Sequence, residues 1–267
     1  MKKILVRAGI GAGVLVLAGL ILLMLVRKRS AECREGQGSV AIEACTFMIN
    51  HFPDDVALPY LDLRRGHYAV AGAKQAELDD LKRMISLLEN ARITFTDPYK
   101  ASVYEKAAEA YAKNSDKAGS LAAAEKAIAL GSKNGAVYMM RGLARLETEK
   151  YADAVTDLKA AEGLGYNQLQ LYMALGSAYL GARDYDNAYA MLKKSEALAA
   201  APQDVSMVNR QLGMTSFELK RYQEALDHMT KALLTGPCPD CSAVIKMCQE
   251  FLKHKTKPAP KKRTRRR

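Results

Sequence analysis

The sequence predicts an all-α protein in which stacked helical hairpins form a solenoid, preceded by one transmembrane helix and followed by a disordered basic tail. Three observations lead to this prediction. A pattern of tyrosine, glycine and alanine returns about every 34 residues between positions 101 and 237, and such a period is typical of helical repeat arrays. An uncharged stretch of 19 residues covers 8–26. Nine lysines and arginines lie within 253–267.

The first segment, 1–29, is predicted to be a membrane anchor. Its uncharged stretch, 8–26, approaches the length that crosses a bilayer core. A cleavable signal peptide would have a shorter apolar run and a cleavage site of small residues, whereas this run ends directly in the basic residues 27–29. We therefore expect an uncleaved, single-pass signal anchor. Basic residues on its two flanks nearly balance, so the charge rule leaves the orientation open.

The central part of the chain repeats one set of small and aromatic residues at a fixed spacing. The set is Tyr138, Gly142, Tyr151, Ala154, Leu158 and Ala161, and it returns as Tyr172, Gly176, Tyr185, Ala188, Leu192 and Ser195, and in part as Gly213, Tyr222, Ala225, Met229 and Ala232. A glycine inside a helix costs about 1 kcal/mol relative to alanine. Glycines in register therefore indicate that the two helices of each unit cross closely at these positions.

The arrangement Tyr-x-x-x-Gly followed by Tyr-x-x-Ala-x-x-x-Leu-x-x-Ala resembles the tetratricopeptide repeat (TPR). The resemblance implies a right-handed α-α superhelix, with TPR repeats over 101–240. Upstream, 30–100 looks like a set of degenerate TPR-like helices, in which Gly66 stands as the repeat glycine of a unit that carries one inserted residue. Three extra residues separate Gly176 from Gly213, and the resemblance places this insertion near 199–203.

Two cysteines twelve residues apart, Cys33 and Cys45, precede the first full unit. They resemble the opening of exported bacterial TPR proteins, which implies a disulfide between them and an oxidising compartment. The alternative is that Cys45 is a buried free cysteine. Together with the anchor, the resemblance favours a repeat domain on the periplasmic side of a bacterial membrane. A domain that faces the cytoplasm is the alternative.

A second cysteine group, Cys238, Cys241 and Cys248, is followed by His254. A redox-active pair is expected near a strand–helix–strand pattern, which the sequence lacks. A zinc site needs four converging ligands, and His254 falls on a different helical face from Cys248. We therefore expect a structural bridge or simple packing, no metal, and a capping helix over 241–254.

The last segment, 255–267, is predicted to be a disordered basic tail. Blocks of like charge are typical of solvated tails. Contact with anionic lipid, an anionic polymer or nucleic acid is the alternative that the charge allows.

The TPR resemblance also places a partner-binding groove on the first helix of each unit. The residues that it brings there are Met139, Leu143, Leu146, Met173, Ser177, Leu180, Met207, Arg210, Met214 and Phe217. Methionine is flexible and recurs on surfaces that accept varied partners, so Met139 and Met173 are expected to contact a partner. Leu146, Leu180 and Phe217 are expected to be buried against neighbouring helices.

These observations predict a non-catalytic, membrane-anchored scaffold that docks a partner protein, as a helix or an extended apolar segment, in its groove. TPR domains that bind chaperone C-termini resemble one another in an asparagine after the helix glycine; Leu143, Ser177 and Met214 stand there instead. The four histidines are scattered and no glycine-rich phosphate loop occurs, so we expect no catalytic residue, cofactor or small-molecule substrate. The alternatives are a cytoplasm-facing receptor or co-chaperone-like client binder, and a tail that binds nucleic acid or an anionic polymer.

Overall fold

The computed structural model describes residues 2–90 and 94–255, without the side chains of 2–18, 55, 254 and 255. Every secondary-structure element found in this part is an α-helix. They are α1 (Lys2–Glu35), α2 (Gly38–His51), α3 (Asp54–Val70), α4 (Lys74–Asn90), α5 (Asp97–Lys113), α6 (Lys117–Ala129), α7 (Gly135–Glu147), α8 (Tyr151–Gly163), α9 (Leu169–Gly181), α10 (Tyr185–Leu198), α11 (Pro202–Glu218), α12 (Tyr222–Thr235) and α13 (Cys241–Lys255). They form two compact units, unit 1 (Met1–Ser132) and unit 2 (Lys133–Arg267). The predicted tail beyond 255 lies outside the described residues.

From α3 to α12, each odd-numbered first helix packs against the even-numbered second helix that follows it. The turn of each hairpin contains one residue in the left-handed region. These residues are Gly72, Ser115, Glu149, Arg183 and Lys220, with φ between 57° and 70°. Three of them stand seven residues after a repeat glycine, so the turn residue marks the register of every hairpin.

The repeat glycines of unit 2 lie where the two helices of a hairpin cross. Each faces a large residue of the second helix, in the pairs Gly142 and Leu158, Gly176 and Leu192, and Gly213 and Met229. A Cβ atom on Gly176 would lie 2.5 Å from Cγ of Leu192, a separation that real Cβ contacts do not reach. The predicted close crossing is confirmed.

Hairpin α3–α4 of unit 1 makes the equivalent crossing with charged residues. The turn residue Gly72 places Arg65, not Gly66, at the crossing, and a Cβ atom on Gly66 would meet nothing within 4 Å. The expectation that Gly66 is a repeat glycine is therefore wrong. Arg65 Nη1 lies 3.5 Å from Oε1 of Glu77, which is buried where unit 2 has alanines such as Ala154. An ion pair replaces the small residues.

Helix α1 runs without a break from 2 to 35, through the end of the predicted anchor segment. Near its C-terminal end a disulfide joins Cys33 to Cys45 of α2, with the two Cα atoms 4.8 Å apart. The pairing implied by the sequence is therefore present. Within the described residues, we find no helix with the length and apolar character needed to span a membrane. The predicted anchor, 8–26, falls partly outside them, since no side chain of 2–18 is described.

The three extra residues between Gly176 and Gly213 lengthen a helix. Helices α7 and α9 have 13 residues each, whereas α11 has 17 and begins at Pro202. Proline is favoured in a first helical turn, where its missing N–H has no partner within the helix.

Candidate functional site

The first helices of unit 2 lie side by side. Helix α9 contacts both α7 and α11, while the second helices α8, α10 and α12 make no comparable contact with one another in the described part of the unit. The first helices therefore lie on the more closely spaced side of the array. We call the solvent-accessible surface of α7, α9 and α11 the inner face.

Three of the groove residues predicted from the sequence are large apolar side chains exposed on the inner face. Leu143 of α7 is 41% exposed, and Met207 and Met214 of α11 are 48% and 36% exposed. Apolar side chains that accessible are available to a partner without any rearrangement of the helices.

Other predicted groove residues are half-buried. Met173 packs against the core cluster of Leu192, Val208 and Leu212. Leu146 and Leu180 pack against the neighbouring core cluster that spans α7 to α10. For Leu146 and Leu180 this agrees with the expected burial against adjacent helices.

Met139 does not lie where the sequence analysis expected it. Its side chain is only 5% exposed and belongs to a core cluster with Leu158, Leu171 and Leu175. A partner cannot contact Met139 unless that core opens, so the expectation that it is a leading contact residue is wrong. The physical reason is that a residue one turn before the close crossing at Gly142 turns inward with it.

The inner face carries little charge at its centre. Helix α9, Leu169–Gly181, contains no charged residue. Ser177 of this helix accepts a hydrogen bond from Nε2 of Gln211 on α11, at 2.9 Å. This bond ties two adjacent first helices together and uses the one hydroxyl predicted to line the groove.

Arg210, the one charged residue predicted for the groove, is held by an ion pair. Its Nε and Nη2 donate to the carboxylate of Asp240, with distances of 2.7 and 2.8 Å. The hydrogen bonds from Arg210 lower the pKa of Asp240, and those to Asp240 raise the pKa of Arg210. The guanidinium therefore positions the turn before α13 and does not stand as an isolated charge on the inner face.

Helix α13 contributes two exposed apolar residues that the sequence analysis missed. Met247 is 40% exposed and Phe251 is 47% exposed. The Phe251 ring stacks on Tyr222, with centroids 4.6 Å apart, and meets Phe217 edge-on at 5.9 Å. The i,i+4 spacing of Met247 and Phe251 is the signal that could have found them. Helix α13 therefore also exposes apolar surface, in addition to capping the array.

Two of the three cysteines in this part of the chain form a structural bridge. Cys238 and Cys241 are disulfide-bonded with Cα atoms 5.4 Å apart, and Cys248 is free and buried. Burial raises the pKa of the Cys248 thiol. Sulfur and oxygen atoms of Cys238, Asp240 and Cys241 lie within 4.8 Å of one another. Zinc binds cysteine as thiolate, which the bonded pair cannot supply. The His254 side chain lies outside the described residues.

The other three histidines each lie within hydrogen-bond distance of an oxygen atom. His67 Nε2 lies 2.9 Å from the carbonyl oxygen of Cys33, and His51 Nδ1 lies 2.8 Å from that of Phe47. His228 Nδ1 lies 2.9 Å from Oδ1 of Asn209, and burial lowers the pKa of His228.

Comparison with known proteins gives solved structures alone. No family model matches the chain, and no curated protein matches it. YrrB, described as a TPR protein with an unusual peptide-binding site, is 20% identical with a TM-score of 0.61, over 78% of this chain and 100% of that chain. A MamA mutant is 22% identical with a TM-score of 0.56, over 69% and 100%. The 41-end form of MamA from Desulfovibrio magneticus RS-1 is 17% identical with a TM-score of 0.53, over 67% and 94%.

At these identities the likeness concerns the fold. It agrees with the helical hairpins described above. The chain has the fold of tetratricopeptide-repeat proteins.

Proposed function

We propose that this chain is a non-catalytic, membrane-anchored scaffold that docks a partner protein on the inner face of unit 2. The observation that carries the proposal is the set of exposed apolar side chains on the two first helices that flank α9, Leu143 of α7 and Met207 and Met214 of α11. Exposed apolar patches mark sites of protein–protein interaction, and these three side chains lie on the same face of unit 2.

The partner that suits this face is an amphipathic helix or an extended apolar segment. Methionine side chains adapt to ligands of different shape, and the uncharged helix α9 offers no ion pair to an acidic or basic peptide. The peptide-binding site named for YrrB supports docking of a peptide on this fold. The asparagines of chaperone-binding TPR domains are replaced by Leu143, Ser177 and Met214, which disfavours an acidic C-terminus as the partner.

The proposed anchor is the N-terminal part of α1. The uncharged sequence of 8–26 supports it. So does the exposure of six consecutive apolar residues, Leu20 to Leu25, whose side chains are 43% to 68% accessible. Consecutive residues point around the whole circumference of a helix, so an apolar environment on all sides suits them better than one packed face.

We propose that the repeats face an oxidising compartment, such as the bacterial periplasm. The Cys33–Cys45 and Cys238–Cys241 disulfides support this orientation. A membrane-impermeant maleimide on intact cells should then label the chain only after reduction, because Cys248 is buried. Labelling that needs permeabilised cells would instead favour the cytoplasm-facing receptor.

Photocrosslinking tests the docking face. A photoreactive residue at Leu143 or Met214 of the full chain should capture a protein, which is then identified and purified. Leu143→Glu with Met214→Glu should weaken its binding about 30-fold or more, since each apolar side chain contributes about 1 kcal/mol or more when buried. Leu198→Glu with Leu234→Glu is the matched control, because both leucines are exposed on second helices. Equal loss in the control would contradict the inner-face assignment.

A further inference from the structure

A cavity of about 420 Å³ lies in unit 1 between one face of α1 and Tyr60 of α3. Its α1 residues include Leu23, Val26, Arg27 and Arg34. These positions are three, four and seven residues apart, so they follow one face of the helix. The cavity is separate from the inner face, which belongs to unit 2.

The lining changes from apolar to cationic along the helix. Leu23 belongs to the exposed apolar segment Leu20 to Leu25, and Val26 follows it. Beyond Val26 the lining contains two basic residues, Arg27 directly after it and Arg34 about two turns further along the helix. A glycerophospholipid has the same order, with acyl chains followed by a phosphodiester.

The polar end contains a chain of hydrogen bonds that leaves donors for a ligand. Arg34 Nη2 donates to Oγ of Ser30 at 2.6 Å, and this Oγ lies 3.1 Å from the hydroxyl of Tyr60. Ser30 is 7% exposed. When Ser30 donates its proton to Tyr60, the Tyr60 hydroxyl keeps its own proton to donate to a ligand.

The two arginines of the cavity differ from the neighbouring basic residues. Lys28 and Arg29 lie 3.8 and 3.2 Å from the carboxylate of Glu32. In the described part of unit 1, neither Arg27 nor Arg34 has an ion pair. Glu35 also lines the cavity and brings one negative charge against two positive ones. The cavity therefore keeps a net positive charge.

The disulfide supports this arrangement. Tyr60 and Leu63 pack against the buried cluster of Cys33, Ala44 and Cys45. The bond between Cys33 and Cys45 fixes the end of α1 against α2, and Tyr60 reaches the cavity from that cluster. The tyrosine is therefore positioned by a covalently closed part of the core.

We propose that this cavity binds the headgroup of an anionic glycerophospholipid, with phosphatidylglycerol as its ligand. Arg27 and Arg34 face the phosphodiester and Tyr60 donates a hydrogen bond to it. Glu35 accepts from the headgroup hydroxyls, and an acyl chain lies along Leu23 and Val26. This inference rests on the proposed anchoring of α1 in a membrane.

The experiment uses the full chain with bilayers of phosphatidylcholine, phosphatidylethanolamine and phosphatidylglycerol. Vesicle flotation measures anchoring, and native mass spectrometry after gentle detergent extraction measures which lipid stays bound. We expect phosphatidylglycerol to be retained preferentially. Arg27→Gln with Arg34→Gln should reduce that preference by about 25-fold, because one basic residue near anionic lipid changes binding by about fivefold. Tyr60→Phe should reduce it less.

Lys28→Gln with Arg29→Gln is the matched control, since it removes the same charge outside the cavity. An equal loss of preference in this control would overturn the site, as would a preference for phosphatidylethanolamine. Retention of glycerol phosphate as strongly as the lipid would also overturn it, because the apolar end would then contribute nothing. Failure to float with any vesicle would refute the proposed anchoring itself. Flotation with no lipid preference would refute the site alone.

Discussion

Hairpin α3–α4 of unit 1 and hairpin α7–α8 of unit 2 carry the same ion pair in the same register but cross their helices differently. In each, an arginine of the first helix makes two hydrogen bonds to an aspartate 16 residues later, Arg64 to Asp80 and Arg141 to Asp157. The residue after Arg64 is Arg65, whereas Gly142 follows Arg141. The ion pair is therefore compatible with both a charged and a glycine crossing.

The charged crossing is stable because its charged side chains form ion pairs and hydrogen bonds with one another. Asp62 accepts hydrogen bonds from Arg65 at 2.8 Å and from Lys106 at 3.0 Å, and Arg65 also reaches Glu77. Burial alone would raise the pKa of Asp62, but these hydrogen bonds outweigh it and leave the pKa below its ordinary value. A buried charge without such partners would cost several kcal/mol. The α3–α4 crossing therefore depends on a network of charged residues where α7–α8 has a glycine and an alanine.

The largest expected effect concerns the shared aspartate. Asp157→Ala should destabilise α7–α8 by about 3–5 kcal/mol, because two arginines, Arg141 and Arg145, lose the buried carboxylate that they share. Asp157 is 2% exposed and also binds Arg145 at 2.9 Å. Asp80→Ala should cost α3–α4 less, about 2–3 kcal/mol, since Arg64 keeps a hydrogen bond to Thr46.

Amide hydrogen exchange of the full chain, read peptide by peptide, measures both changes. Asp153→Ala is the control, because Asp153 is exposed near the same arginines. A larger loss of stability for Asp80→Ala than for Asp157→Ala would contradict the order that the geometry of the two ion pairs predicts.

A smaller effect, of opposite sign in the two units, is expected at the crossings. Gly176→Ala should destabilise α9–α10 by about 1–3 kcal/mol, because the new Cβ collides with Leu192. Gly66→Ala should stabilise α3 by about 0.5–1 kcal/mol, since nothing lies near its Cβ position and alanine favours a helix. Urea unfolding of the two variants checks the signs. If Gly66→Ala proved as harmful as Gly176→Ala, the register derived from Gly72 would be wrong.

The hairpin register could be predicted from the sequence where the small residues recur. It could not be predicted in this way where charged residues replace them. The spacing from Gly142 to Gly176 and its alanines predict hairpins because close helix crossings accept few residue types. In α3–α4 the spacing is the same, but Arg65 and Glu77 stand at the two positions that small residues occupy in unit 2. A comparison by residue type therefore selected the neighbouring Gly66. The constant 16-residue interval between Arg64 and Asp80 is a signal that would have corrected it.

The inner face was predicted from the family pattern, and the pattern does not determine burial. Exposure of Leu143, Met207 and Met214 agrees with it, but Met139 is buried. Which way a side chain turns depends on the tilt of its helix against the core, which no single residue type encodes. The Phe251–Tyr222 stack was missed because it joins α13 to the second helix α12, whereas the family pattern places the groove on first helices.

The smallest expected effect lies in the hairpin turns, where α3–α4 has a glycine and α9–α10 has an arginine. Gly72 and Arg183 hold the same turn position, with φ of 70° and 61°. Gly72→Ala should cost about 1 kcal/mol, and the cost is conformational, because a Cβ there meets no atom within 4 Å. Arg183→Gly should gain no more than about 0.5–1 kcal/mol, since glycine relieves the left-handed strain of an L-residue but orders at a greater entropic cost. Thermal unfolding of each variant against the parent chain measures both. Arg183 is exposed and makes no ion pair in the described part of unit 2. A loss of stability on Arg183→Gly would therefore mean that the entropy of the unfolded chain, and not strain in the turn, decides which residue this position accepts.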